Sequence, residues 1–206
     1  MKSPLTHLGF EKLPSIGHNL GPPLERGESF RKFAWAKARR ELLPRLPIEV
    51  LKRRVARAKE LGLAYPQYAS ILLGTGRDVV AFLFTSDAIG LRVERTMRLS
   101  GEAAQKLGEI GGADRLLFVP VGIDIASVTA ELSCRHGIEI THAGPEPVQK
   151  ATRRQGGHAV RALLDPLKLP GDTVVMIGTE PRERGWADAA RLAKFLPAEG
   201  FFDDPG

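Results

Sequence analysis

From Gly76 onward, short apolar runs alternate with segments of helical periodicity, and this alternation constrains the fold more than any other feature of the chain. Four runs have the length and composition of buried strands: residues 79–84, 116–121, 138–141 and 173–177. The segments between and after them predict helices: residues 101–110, 123–136, 148–164 and 183–196. Because strands that alternate with helices form parallel sheets covered on both faces, we expect a Rossmann-like three-layer α/β core with a mainly parallel sheet over residues 77–206.

The N-terminal part of the chain is organised differently. Residues 1–27 contain closely spaced prolines and glycines and no sustained period, so we expect a flexible arm there. Residues 28–76 predict a helical segment, with helices at 29–43, from Pro47 to about residue 61, and at 67–73. The second of these helices has apolar residues at helical spacing: Ile48, Leu51, Val55 and Ala58.

The positive charge of the chain is concentrated in this helical segment. Residues 30–61 contain 11 Lys or Arg against three acidic residues, which gives +8 on a chain whose total is +6. Clustered cations bind phosphate backbones through counterion release and need no base-reading code. The candidate nucleic-acid-binding residues are Arg39, Arg40, Lys52, Arg53, Arg54 and Arg57, and we expect the last three to face outward. A solvated basic surface without a partner is the alternative interpretation.

Helices two and three meet at a short glycine-containing turn, which is typical of a helix–turn–helix motif. The helix that would read bases, residues 67–73, offers only Gln67 and Ser70 as ordinary base-reading groups. The sequence therefore favours contact with the phosphate backbone over sequence-specific reading.

Polar residues follow the first and the last predicted strand. Open α/β sheets place ligands at the carboxyl ends of their strands, and the candidates there are Ser86, Asp87, Thr179 and Glu180. Turn residues of this kind often cap helices without binding anything, and capping is the competing interpretation.

Residues 17–23, with the sequence GHNLGPP, resemble an IGHNGGPPL-type signature of uncharacterised bacterial proteins, many of them from prophage-like or other mobile regions, in which a basic helical pair follows. The resemblance covers about residues 16–78 and includes Phe30, Trp35 and the turn at residues 60–63; Leu20 replaces the usual glycine. It implies a real motif but no activity. Pro22 and Pro23 can also shape the chain with no chemistry at all.

Residues 169–178 and 187–190 resemble the late strand–loop–helix unit of the haloacid-dehalogenase-like phosphohydrolases. That family carries a nucleophilic aspartate and a second aspartate two positions later after its first strand, and an acid after the glycine of the late strand. Here Thr85 and Ser86 precede Asp87, and Thr179 follows Gly178. Without the carboxylate pair the resemblance implies a Rossmann-like architecture but not the phosphohydrolase mechanism.

Other chemistry has weaker support in the sequence. Four residues could be imagined around a metal, but their spacing matches no zinc pattern: Cys134, His136, His142 and His158. The single cysteine, Cys134, is expected to be a small buried side chain, and Trp186 a packing anchor. No Walker-type phosphate loop precedes a helix, so we expect no metal and no cofactor.

The apolar runs are too short to cross a bilayer and no signal-peptide core follows Met1, so we expect a cytoplasmic protein without a membrane partner. We expect a non-catalytic binding or regulatory protein whose basic helices contact an anionic partner, nucleic acid above all. The alternative is a small-ligand-binding or phosphohydrolase-like α/β enzyme that uses the strand ends. A protein partner for the N-terminal arm is a third hypothesis.

Overall fold

The computed structural model describes residues 46–93, 97–148 and 150–202. Nearly all of these residues belong to one compact unit, residues 48–206. The arm predicted at residues 1–27, the helix predicted at 29–43, and Arg39 and Arg40 lie outside the described residues.

Five parallel strands form the central sheet. They are β1 (Ala81–Phe84), β4 (Asp114–Val119), β5 (His142–Pro145), β6 (Val174–Gly178) and β7 (Lys194–Pro197), with β2 (Arg92–Val93) and β3 (Met97–Arg98) forming a separate antiparallel hairpin. The order in the sheet is β5-β4-β1-β6-β7. The chain therefore runs outward from β1 through β4 to β5, then returns to the other side of β1. The predicted Rossmann-like α/β fold is confirmed, with the topological switch point between β1 and β6.

Seven α-helices belong to the described part of the chain: α1 (Ile48–Glu60), α2 (Tyr65–Thr75), α3 (Gly101–Glu109), α4 (Ile125–His136), α5 (Arg153–Leu164), α6 (Pro181–Ala189) and α7 (Ala198–Phe202). Alternate residues of β1 enter two separate cores. Phe82 and Phe84 pack with α1 to α4 and α7, whereas Ala81 and Leu83 pack with α5 and α6. This alternation makes the three layers, since successive side chains of a strand point to opposite faces.

Two of the elements predicted by the periodicity lie elsewhere in the structure. Residues 138–141 are not a strand: Ile138 is buried, but it directly follows Gly137, which ends α4 with φ of 65°, and the strand begins at His142. Residues 183–196 are not one helix either. The chain turns after α6 through Arg191, with φ of 56°, and continues as the edge strand β7.

Two single-residue expectations have opposite outcomes. Trp186 of α6 is fully buried in the core that α5 and α6 share, which confirms its role as a packing anchor. The expected burial of Cys134 is wrong, because the side chain lies on the exposed side of α4, whose inward positions are Val128 and Leu132. Within the described residues, none of the helices is long and apolar enough to span a membrane.

Candidate functional site

β1 leads directly into a tight turn that carries Ser86 and Asp87. The amide of Thr85 donates to the carbonyl of Ile177 at 3.1 Å, so parallel pairing with β6 continues one residue past the strand. The turn closes where the amide of Leu91 donates to the carbonyl of Ser86 at 2.9 Å. This geometry buries Ser86 and leaves Asp87 exposed at the carboxyl edge of the sheet.

Glu146 follows β5 and reaches the same place. Its amide donates to the carbonyl of Val119, the last residue of β4, at 2.7 Å. Its carboxylate oxygen Oε2 accepts a short hydrogen bond from the hydroxyl of Ser86. Because β4 lies between β1 and β5, this hydrogen bond passes over the end of the middle strand and ties three strand ends together.

β6 contributes a second carboxylate to this edge through Glu183 of α6. Oxygen Oε2 of Glu183 accepts from the amides of Thr179 at 2.7 Å and Glu180 at 2.9 Å. A Cβ on Gly178 would lie 2.3 Å from this oxygen, so only glycine leaves room for it. Glu183 thus satisfies the two amides that immediately precede α6, and it is fully buried.

Arg182 brings a cation to this edge. Its Nε lies 2.7 Å from Oε2 of Glu180, and its guanidinium lies over the ring of Trp186 at 5.6 Å from the centroid. Acidic side chains nevertheless predominate, because Asp87, Glu146 and Glu183 approach the same region.

Burial is the main reason that the pKa of Glu146 lies above its ordinary value. The hydrogen bond from Ser86 opposes this rise, the negative charges of Glu183 and Asp87 add to it, and Arg182 opposes it. Because the charges of these side chains affect Glu146, they form one electrostatic cluster.

The pKa of Glu183 is also raised, again mainly by burial. The amide hydrogen bonds of Glu180 and Thr179 oppose the rise, and the nearby charge of Glu180 adds to it. Two carboxyl groups at one edge of the sheet therefore hold their protons more tightly than free glutamates, and a protonated carboxyl can donate as well as accept a hydrogen bond.

The four strand-end residues predicted from the sequence follow two neighbouring strands, β1 and β6, at the same edge of the sheet: Ser86, Asp87, Thr179 and Glu180. Capping, the competing interpretation, does not describe Ser86, whose hydroxyl donates to Glu146. Sequence reasoning missed Glu146, because the apolar run before it predicts a strand four residues too early. It also missed Glu183, although an acid three residues after Glu180 at the start of a helix is a capping-box signal.

The aspartate that haloacid-dehalogenase-like phosphohydrolases carry at their first strand has no counterpart directly after β1. Thr85 occupies the first position after β1, and its hydroxyl accepts from the amide of Ala88 at 3.3 Å. Within residues 46–93, 97–148 and 150–202, no group of three or more His, Cys, Asp or Glu side chains is arranged to hold a metal ion.

Arg57, one of the predicted nucleic-acid contacts, does not face outward. Its guanidinium donates to Asp78 at 2.9 Å, Glu60 at 2.9 Å, the carbonyl of Val79 at 3.0 Å and that of Gly112 at 3.1 Å. Its side chain is only 21% exposed. The expectation is wrong because α1 packs against the loops before β1 and β4, where two carboxylates and two carbonyls meet Arg57.

The other cations of α1 remain at the surface. Lys52 and Arg53 are exposed, Arg54 is partly exposed, and Lys52 forms a solvent-exposed pair with Glu49 at 3.2 Å. Ala58 is buried, whereas the preceding members of the predicted apolar face remain exposed: Ile48, Leu51 and Val55. Of the predicted nucleic-acid contacts on α1, Lys52, Arg53 and Arg54 are therefore accessible, and Arg57 is not.

Comparison of the chain with protein-family models, with curated proteins and with solved structures found no significant match. The resemblances of residues 16–78 and of residues 169–190 described above stay predictions.

Proposed function

We propose that the protein binds a small polar ligand at the carboxyl edge of its sheet. The observation that carries the proposal is the convergence of Ser86, Glu146 and Glu183 from three different elements near the topological switch point. Ligands of open α/β sheets bind at this position, where the loops diverge to either side. Buried carboxyl groups with displaced pKa values also concentrate at functional sites.

The charge of the cluster indicates the class of ligand. Four acidic side chains lie near Arg182 at this edge: Asp87, Glu146, Glu180 and Glu183. A phosphate without a bound cation would be repelled by the net negative charge of the cluster, whereas a protonated amine would be attracted to that charge. Since carboxylates accept hydrogen bonds, the complementary ligand is a donor-rich molecule such as a small amine.

Thermal unfolding with putrescine as the probe tests this proposal. A ligand that binds only the folded protein raises Tm. We expect putrescine to raise the Tm of the natural protein and of Glu139→Gln, but not that of Glu146→Gln. Glu139 is an exposed glutamate before β5 and so is a matched control at the opposite end of that strand. An equal shift in both variants, or no shift in the natural protein, would reject the site.

A second candidate function is binding of a nucleic acid through α1. It is favoured by the accessibility of Lys52, Arg53 and Arg54 on one helix. The exposed pair of Lys52 with Glu49 is no obstacle, since surface pairs contribute little and are easily exchanged for phosphate contacts.

Titration of a short DNA duplex at several salt concentrations tests this second function. Replacing Lys52, Arg53 and Arg54 together by glutamine should weaken binding. It should also flatten the slope of the logarithm of the binding constant against the logarithm of the salt concentration, by about 0.9 for each phosphate that the variant no longer neutralises. The control removes three cations elsewhere: Arg135→Gln, Lys150→Gln and Lys168→Gln. If the two triple variants bind the duplex equally, α1 is not the interface.

A further inference from the structure

The outer surface of α5 and α6 contains a groove that is independent of the strand-end cluster. It has a volume of about 330 Å³ and is lined by Arg153, Arg154, Gly157, His158, Arg161 and Ala189. This volume is within the range of small-molecule sites. Four of the six lining residues carry a basic side chain, and none of the six is acidic.

Two of the arginines are held in place by backbone carbonyls of the neighbouring helix and the turn that follows it. Arg153 donates through Nε to the carbonyl of Gly185 at 3.2 Å, and Arg161 donates through Nη2 to the carbonyl of Ala190. A guanidinium has five N–H donors, so each of these arginines retains donors for a ligand. Asp188 approaches Arg153 at 3.6 Å, and both side chains remain more than half exposed.

Arg154 and His158 have no hydrogen-bond or ion-pair partner among the described residues. They are four residues apart on α5, so they lie on the same face of the helix, and both are exposed. Since Asp188 offsets one of the three arginine charges, the arginines give the groove a net charge of about +2.

The floor of the groove consists of small residues because the two helices approach closely. A Cβ on Gly157 would lie 2.7 Å from Cβ of Ala189, which only glycine avoids. The long basic side chains therefore surround a shallow floor without filling it. The lining thus combines fixed donors, unpaired cations and open space.

We propose that this groove binds a small phosphorylated ligand through its phosphate group. Guanidinium groups bind phosphate oxygens with two parallel hydrogen bonds, which suits Arg153 and Arg161 with their fixed orientation. Arg154 supplies a further charge, and His158 supplies a ring nitrogen that can donate a hydrogen bond. Within the described part of the chain, Asp188 is the acidic side chain that pairs with an arginine of this groove. A phosphate bound here would therefore replace water around arginines that lack a counterion.

Isothermal titration calorimetry of the full chain with pyrophosphate, at constant ionic strength, tests the proposal. We expect saturable binding to the natural protein and an affinity lowered by about tenfold or more in Arg154→Gln, because a charge-assisted hydrogen bond is removed. Arg154 is exposed and makes no hydrogen bond or ion pair with a described residue, so the Tm of this variant should stay nearly unchanged. His158→Gln should lower the affinity by a smaller factor.

The matched control is Arg135→Gln, which removes an exposed arginine of α4 from the opposite face of the sheet. It should bind pyrophosphate as the natural protein does. Equal affinities of Arg154→Gln and Arg135→Gln, or no saturable heat with the natural protein, would overturn the proposal. A short DNA duplex provides a second arm: if the duplex binds in an Arg154-dependent way and pyrophosphate does not, the occupant is a polynucleotide and the small-ligand proposal is wrong.

Discussion

The guanidinium of Arg57 joins three separate parts of the chain. It bonds to Glu60 within its own helix, to Asp78 and Val79 before β1, and to Gly112 before β4. Glu60 and Asp78 are 47% and 44% exposed, so the two ion pairs alone contribute modestly, and the two bonds to backbone carbonyls add to them. Asp78 also accepts from the hydroxyl of Tyr68 at 3.0 Å, and burial together with this hydrogen bond raises the pKa of Tyr68 to about 12.

Replacing Arg57 by glutamine should lower the free energy of unfolding by about 2 kcal/mol, because two carboxylates and two carbonyls lose a donor. Urea denaturation measures this change. Arg53→Gln, which removes an exposed arginine from the same helix, should change the free energy of unfolding by less than about 0.5 kcal/mol. Similar losses in the two variants would mean that the contacts of Arg57 do not stabilise the fold.

At the scale of elements, α5 and α6 owe their close packing to adjacent glycines. A Cβ on Gly156 would lie 2.0 Å from Cδ1 of the buried Trp186, and one on Gly157 would meet Ala189. The start of α5 is also well defined. Thr152 accepts from the amide of Gln155, and the side chain of Gln155 accepts from the amide of Thr152, which completes a capping box.

Gly156→Ala should therefore destabilise the protein by about 2 kcal/mol or more, since the strain of overpacking against Trp186 exceeds the gain in helix propensity. Gly108→Ala in α3 is the matched control, because a Cβ there meets nothing within 4 Å. It should stabilise the protein by about 0.5–1 kcal/mol. Thermal or urea unfolding measures both, and a stabilised Gly156→Ala variant would contradict the packing argument.

At the scale of the whole molecule, the parallel sheet collects acidic side chains at its carboxyl edge. Glu146 and Glu183 follow different strands, and each has its pKa raised, mainly by burial. A carboxyl group with a raised pKa in the folded state binds protons more readily there than in the unfolded chain. Its contribution to stability therefore increases as the pH falls through the folded pKa, and becomes constant below the unfolded pKa.

Glu146→Gln should raise Tm at pH 7.5, and the advantage should be smaller at pH 5, because a larger fraction of Glu146 is protonated there and protonation removes the cost of burying its charge. The amide oxygen of glutamine still accepts from Ser86. Thermal unfolding at both pH values, with Glu139→Gln as the control, measures the difference. A variant that gains more at pH 5 than at pH 7.5 would contradict the raised pKa.

The sequence by itself determined the class of the fold and most of its elements. The runs that form β1, β4 and β6 are buried on both faces over most of their length, so their apolar character alone identifies them. Once the apolar runs of β1 and β6 are identified, the residues at their carboxyl ends are identified too. Ser86 and Thr179 are therefore recognisable from the sequence. The helix ends are also readable where a local signal marks them, as at Gly137.

Only the tertiary structure decided how these elements are used. The edge strand β7 is recognisable only through its pairing with β6, because Leu196 is its one buried residue and its sequence continues the helical pattern of α6. Ser86 and Glu146 are 60 positions apart and meet only because β4 lies between their strands. Periodicity reports which side of an element is buried, whereas the partner of a polar side chain depends on strand order and loop path. For the same reason the sequence presented Arg57 as a surface charge, and packing of α1 against two loops made it a partly buried donor to four groups.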